Sequence, residues 1–249
     1  MEPTLKDSKA WLKLLGIMLI PVAVGIGYGL ASLAIASPNY DQMKRSTLDL
    51  RIDGEYICSA VAVEKGLALT AGHCVQESGS YTVVTSDEQE FEVTVGEDWM
   101  IQKERHRHHQ RGGKLKGTDI AVLHLKPTEG HPAQDGKEFP YWSTVDPVCE
   151  PLEIGTDVFT AGSPSDVLGG QLIRAITRGE VITTEPRKLV EGAAWLQHDG
   201  VAWKGNSGGP VFNRAGDLVG ITSHGNLTRQ GNAGHNYAVA GPVICQVLE

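Results

Sequence analysis

Three short strings of this 249-residue chain hold the residue types that can activate a serine. They are Thr70-Ala71-Gly72-His73-Cys74, Gly117-Thr118-Asp119-Ile120-Ala121 and Gly205-Asn206-Ser207-Gly208-Gly209-Pro210. A serine hydroxyl is a weak nucleophile near neutral pH and needs a neighbouring base to take its proton. A histidine can be that base, provided a partner on its other ring nitrogen fixes the tautomer. An aspartate is such a partner. Attack on a carbonyl then leaves an oxyanion, which needs preorganised donors. The glycines around Ser207 suit backbone N–H donors, because the chain can turn sharply there with nothing bulky in the way. Gly205 and Ser207 are the candidates for the two N–H groups. The chemistry is acyl transfer.

In this order and with these flanks, the strings resemble the trypsin/chymotrypsin superfamily of serine proteases. The likeness runs from about Tyr56 to the C-terminus, roughly four-fifths of the chain. Around the serine it is most similar to bacterial proteases of the high-temperature-requirement type. Their pattern is matched by Gln197-His198-Asp199, five further residues, and then Gly205-Asn206-Ser207-Gly208-Gly209-Pro210. Those enzymes carry PDZ domains after the protease, whereas about 40 residues follow Ser207 here. The resemblance implies a triad in which Ser207 attacks, His73 moves the proton and Asp119 orients His73. It implies a serine endopeptidase acting on proteins or peptides, with no cofactor and no metal. The rival reading is an inactive, membrane-anchored binding module on the same fold. An esterase of the α/β-hydrolase type is disfavoured, because its order is serine, acid, histidine.

The same resemblance places the substrate pocket. Its floor falls about six residues before the serine, at Val201 followed by Ala202. No acidic residue stands there. Asp199 is close, but the heat-shock-type enzymes carry it without tryptic specificity. A small or medium apolar residue is therefore expected on the acyl side of the cleaved bond. Ser223-His224-Gly225 resembles the strand that pairs with substrate backbone, with Gly225 leaving the pocket mouth open. His224 is an alternative reader of an acidic residue. Asn206, a neutral residue, occupies the position where trypsin's activation switch uses an aspartate, so activity is expected without removal of a pro-segment. The four cysteines match two family bridges, Cys58–Cys74 and Cys149–Cys245, with free thiols as the alternative. An even count in an exported chain agrees with bridging.

The elements that must position these residues read as all-β, in two six-stranded antiparallel β-barrels. Gly is high at 30 residues, aromatics are few and the net charge is −8. That balance leaves no basic footprint for nucleic acid. Strand patterns fall at 57–63, 67–70, 81–85, 91–95 and 120–125, forming a first barrel over about 54–126. A second barrel over about 154–241 is built from 156–161, 171–184, 194–198, 210–212, 218–223 and 236–240. Residues 242–248 suit a short C-terminal helix. Residues 37–53 are polar without a clear period and read as a linker to a domain at 54–249.

Before the linker, residues 14–36 carry no charge, and a run of about 23 residues can span a bilayer. Residues 1–13 supply Lys6, Lys9 and Lys13 ahead of it. Its end, Ala34-Ile35-Ala36, looks like a signal-peptidase site. A transmembrane anchor or a signal peptide is expected, with the protease domain periplasmic or extracellular. Secretion after cleavage near Ala36 is the alternative. The stretch 103–116 is rich in Lys, Arg and His. His106, His108 and His109 lack carboxylate partners and helical spacing, so a solvated basic loop is preferred to a metal site.

Overall fold

The computed structural model describes residues 37–96, 115–116, 119–127, 143–165, 170–184, 190–191, 195–228 and 231–249. Two closed, antiparallel six-stranded barrels make the fold. The first is closed by β1 (Thr47–Ile52), β2 (Glu55–Glu64), β3 (Leu67–Thr70), β4 (Tyr81–Val84), β5 (Glu90–Val95) and β7 (Ala121–Pro127). Two-residue β6 (Leu115–Lys116) pairs in parallel with β10 (Val190–Glu191) outside both barrels. The second barrel is closed by β8 (Asp157–Gly162), β9 (Ala175–Thr183), β11 (Trp195–His198), β12 (Pro210–Phe212), β13 (Leu218–Thr228) and β14 (Gly231–Ala240). Helix α1 (Tyr40–Ser46) precedes the first barrel, and α2 (Gly241–Leu248) follows the second.

The linker reading of 37–53 is corrected here. Asn39 caps α1, its side chain accepting the Gln42 N–H at 3.3 Å. Met43 on this helix is fully buried. Thr47–Ile52 is the first barrel strand, with Leu48 and Leu50 fully buried. The Asp53-Gly54 pair joins it to β2, and both residues have positive φ, at 50° and 84°. That is the primed two-residue turn whose twist matches a hairpin. The strand hides in the sequence because Asp49 looks like a solvated charge. It is buried instead, paired with buried Arg174 at 3.0 Å. Removing one partner of such a pair strands a charge and typically costs about 3–5 kcal/mol.

The barrels meet face to face. Val61, Leu69 and Ile120 from the first pack with Phe159, Phe212, Leu218 and Ile221 from the second, all buried. Both cysteine bridges are formed, Cys58 to Cys74 and Cys149 to Cys245. The first ties β2 to the 3-10 turn Gly72–Val75, and the second ties residues before β8 to α2. With sequence separations of 16 and 96, loop entropy gives them about 3 and about 4–5 kcal/mol. Residues 14–36 and the histidine-rich 103–114 lie outside the described residues. Among the described residues, no helix is long and apolar enough to cross a membrane.

His198 on β11 is fully buried, and neither ring nitrogen has a hydrogen-bond partner among the described residues. Burial pushes its pKa down to about 4 from 6.5. The unfolded chain therefore takes up a proton below about pH 6.5 that the folded chain refuses until about pH 4. Stability is expected to fall by on the order of 3 kcal/mol across that window. Urea midpoints measured from pH 7 to 4 should show that decline, and His198→Gln should flatten it.

Candidate active site

His73 sits on the 3-10 turn Gly72–Val75, immediately after β3. Asp119 lies two residues before β7, fully buried. Because β3 and β7 are neighbours, Thr70 facing Ala121, the two side chains meet at one rim of the first barrel. Asp119 accepts twice from His73: Oδ1 takes the backbone N–H at 2.9 Å, and Oδ2 lies 2.8 Å from Nδ1. This fixes the imidazole with Nδ1 protonated and Nε2 turned away from the carboxylate.

Burial opposes a charge on His73, but the Asp119 carboxylate and its hydrogen bond outweigh it and raise the His73 pKa above 6.5. Asp119 is driven the opposite way. Burial alone would raise its pKa, yet His73, the Ser223 hydroxyl and His224 together hold it well below the usual carboxylate range. A general base must be neutral, so activity should vanish as pH falls through a value above 6.5. The acid limb of kcat/KM against pH locates that value, and an apparent pKa below 6.5 would contradict the assignment.

Ser207 stands in the turn before β12, on the second barrel. Its Oγ faces the Ser223 carbonyl at 3.5 Å, and its own carbonyl accepts the Ser59 N–H at 2.8 Å from the first barrel. Ser207 and His73 make no hydrogen bond among the described residues. Such bonds are often loose without substrate and tighten on binding. The N–H groups of Gly205 and Ser207 make no hydrogen bond among the described residues either, which leaves both available as donors.

The motif glycines are required by geometry. Gly205 has φ +102°, and an added Cβ would lie 2.7 Å from the Ser163 carbonyl. Gly208 has φ +78°, and its Cβ would lie 2.0 Å from Thr70 Oγ1 and 2.3 Å from the Ser59 carbonyl. No side chain fits against the first barrel at that point.

A register shift between Thr222 and His224 in β13 brings the side chains of Ser223 and His224 together. The Ser223 hydroxyl donates to Asp119 Oδ2 and lies 2.5 Å from His224 Nδ1. Its single proton is given to the carboxylate, so it accepts from His224 Nδ1–H. The His224 ring is 5.6 Å from the His73 ring. Ser223 and His224 therefore lie beside the His73–Asp119 pair.

Val201, expected at the pocket floor, is found on a cavity wall. It is 54% exposed, its carbonyl held by the Thr177 hydroxyl at 2.7 Å. It lines a cavity of about 230 Å³ with Pro164, Leu172, Ala175, Trp203 and Asn206, a wall that includes none of residues 223–225. Ala202 is buried. Asp199 is turned onto β9, its carboxylate accepting the Glu180 N–H at 2.7 Å. Cys58, His73 and Cys74 cluster closely, but both sulfurs are committed to their disulfide.

Two side chains at the site escape any reading by motif. The Tyr56 and Ser59 hydroxyls on β2 both reach the Gly205 carbonyl, at 2.5 and 2.8 Å. They lie 149 and 146 residues from Gly205 in sequence. Nothing in their immediate neighbours marks them.

Two six-stranded barrels, one offering a histidine–aspartate pair and the other a glycine-flanked serine, define the two-barrel serine protease class. The model of the trypsin family matches residues 37–247, and the chain belongs to that family. It is 29% identical over 188 residues to the probable periplasmic serine endoprotease DegP-like of Rhizobium meliloti, covering 75% of this chain and 31% of that protein. The corresponding protein of Brucella suis is 27% identical over 192 residues, with 76% and 31% covered. The chain thus spans about a third of the length of these curated relatives. Among solved structures, an HtrA-type protease with a tripeptide superposes with TM-score 0.60 at 20% identity, covering 84% of this chain and 62% of that one. The serine endoprotease from Yersinia pestis gives TM-score 0.58 at 21% identity, covering 86% and 66%. These two likenesses show the fold.

Proposed function

We propose that the chain is a serine endopeptidase working through His73, Asp119 and Ser207. The observation that carries the reading is the doubly bonded His73–Asp119 pair, set across the barrel seam from a serine beside N–H groups that make no hydrogen bond among the described residues. Ser207 Oγ attacks the peptide carbonyl and gives its proton to His73 Nε2. Asp119 stabilises the resulting imidazolium without taking the proton. The oxyanion is received by the N–H groups of Gly205 and Ser207. His73 returns the proton to the leaving amine, and the C–N bond breaks to give an acyl-enzyme. Water, deprotonated by His73, then cleaves the ester and restores Ser207.

No carboxylate stands at residues 201–202, and Asp199 is engaged by β9. Both support a small or medium apolar residue before the cleaved bond rather than Lys or Arg. A peptide library cut mainly after Lys or Arg would overturn this. The neutral Asn206 supports activity in the full chain without trimming. The apolar run 14–36 and two disulfides support a membrane tether with the protease domain outside the cytoplasm, in keeping with the periplasmic naming of the relatives.

Labelling with a fluorophosphonate probe tests the reading directly. The unaltered chain should label, and Ser207→Ala and His73→Ala should not. A folded chain that fails to label would point instead to a binding module on a trypsin-type fold.

A further inference from the structure

We infer that the Tyr56 and Ser59 hydroxyls are positioning residues that hold the oxyanion loop in its donor-presenting form from across the barrel seam. The inference rests on the acyl-transfer reading above. A glycine flanked by turns can rotate its peptide planes at little steric cost. Gly205 is such a residue, and its N–H must face the cleft to receive the oxyanion. Asn206 carries no charge that could anchor the loop, and its buried Oδ1 has no hydrogen-bond partner among the described residues. The tether comes from the first barrel instead.

Tyr56 OH lies 2.5 Å from the Gly205 carbonyl, Ser59 Oγ lies 2.8 Å from it, and the two hydroxyls are 3.0 Å apart. Two protons serve these three contacts. However they are shared within the triangle, at least one is donated to the Gly205 carbonyl. The pinned oxygen fixes the Gly205–Asn206 peptide plane, while the Lys204 carbonyl, accepting the Ser165 N–H at 2.8 Å, fixes the preceding plane that carries the Gly205 N–H. Held on both sides, Gly205 keeps the φ of +102° that only glycine accepts readily. The Asn206 N–H is held in turn by the Trp203 carbonyl at 2.9 Å.

The clamp is itself anchored. Ser59 Oγ accepts the Ser163 N–H at 3.1 Å. Ser163 Oγ accepts the Arg174 N–H at 2.9 Å and donates to Asp49 Oδ1 at 2.5 Å. The Arg174 guanidinium then bonds Asp49 and the carbonyls of Thr47, Val84 and Thr85. One hydrogen-bonded chain therefore runs from the oxyanion loop to a buried ion pair, crossing the barrel seam on the way. Burial also keeps the Tyr56 phenol protonated by raising its pKa.

The test uses the full chain and a fluorophosphonate probe, whose phosphoryl oxygen occupies the place of the oxyanion. Tyr56→Phe should lower the limiting labelling rate about tenfold, and Tyr56→Phe with Ser59→Ala about a hundredfold, the low end of the loss typical of removing a donor outright. Half-saturation by the probe should stay within about twofold, and the acid limb set by His73 should not move. A role confined to stability would lower the active fraction and melting temperature without this split. Limiting rates within twofold of the parent in a folded Tyr56→Phe chain would overturn the clamp alone. Weaker probe binding with an unchanged limiting rate would also overturn it. A folded parent chain that does not label would overturn the clamp together with the acyl-transfer reading.

Discussion

Ser207→Ala is expected to reduce kcat for a cleaved peptide about a million-fold while the chain stays folded and still binds that peptide. The magnitude follows from the loss of covalent catalysis: without Oγ, His73 has no nucleophile to deprotonate and Asp119 no imidazolium to stabilise. A residue of about a thousandfold over water should survive, because the N–H groups of Gly205 and Ser207 are backbone and remain. The fold should tolerate the change. Ser207 is partly exposed, and its hydroxyl makes one long contact, 3.5 Å to the Ser223 carbonyl. A stability loss within about 1 kcal/mol is anticipated. Single-turnover kinetics with thermal melting separate the two effects. A kcat within a hundredfold of the parent would remove Ser207 as the nucleophile.

Asp119→Asn should cost about ten-thousandfold in kcat near neutral pH, comparable with the loss in the serine-protease template. The reason lies in tautomers. The carboxylate accepts from His73 Nδ1–H at 2.8 Å and leaves Nε2 free as a base. An amide that donates to Nδ1 would move the ring proton to Nε2, where it blocks acceptance from Ser207. The substitution also weakens acceptance from the Ser223 hydroxyl, so β13 loses one of its ties to the first barrel. Without the carboxylate, the His73 pKa should fall, because burial is then opposed by nothing of equal size. NMR titration of His73 should show that fall alongside the lost rate. Full activity in a folded Asp119→Asn chain would exclude an orienting role for this carboxylate.

The parts of the site that lie in contiguous strings were legible in the sequence. His73, Asp119 and the Gly205–Gly209 turn are read from their neighbours because local backbone shape is what those neighbours specify. The barrel strands were legible wherever alternation was clean, as at Phe91, Val93 and Val95. β1 was missed because its inward partner for Arg174 is a charge, and a buried charge cannot be told from a solvated one without its mate. The Asp53-Gly54 pair was a hairpin signal in plain view. For Val201, counting back from a serine fixes a position along the chain but not the face the side chain takes. The Tyr56 and Ser59 contacts to Gly205 could not be read at all. They join segments nearly 150 residues apart through hydroxyls that resemble any others.

The division of labour between the barrels also sets a clock. Tyr56, His73 and Asp119 emerge from the ribosome with the strands of the first barrel. Gly205, Ser207 and Ser223 come later, and the second barrel closes only when β14 has been made, up to Ala240. Cys149 must then wait for Cys245 in the final helix. A partly synthesised chain thus holds a base with no nucleophile to serve. On the proposed triad, base and nucleophile would be brought together only once the second barrel has closed.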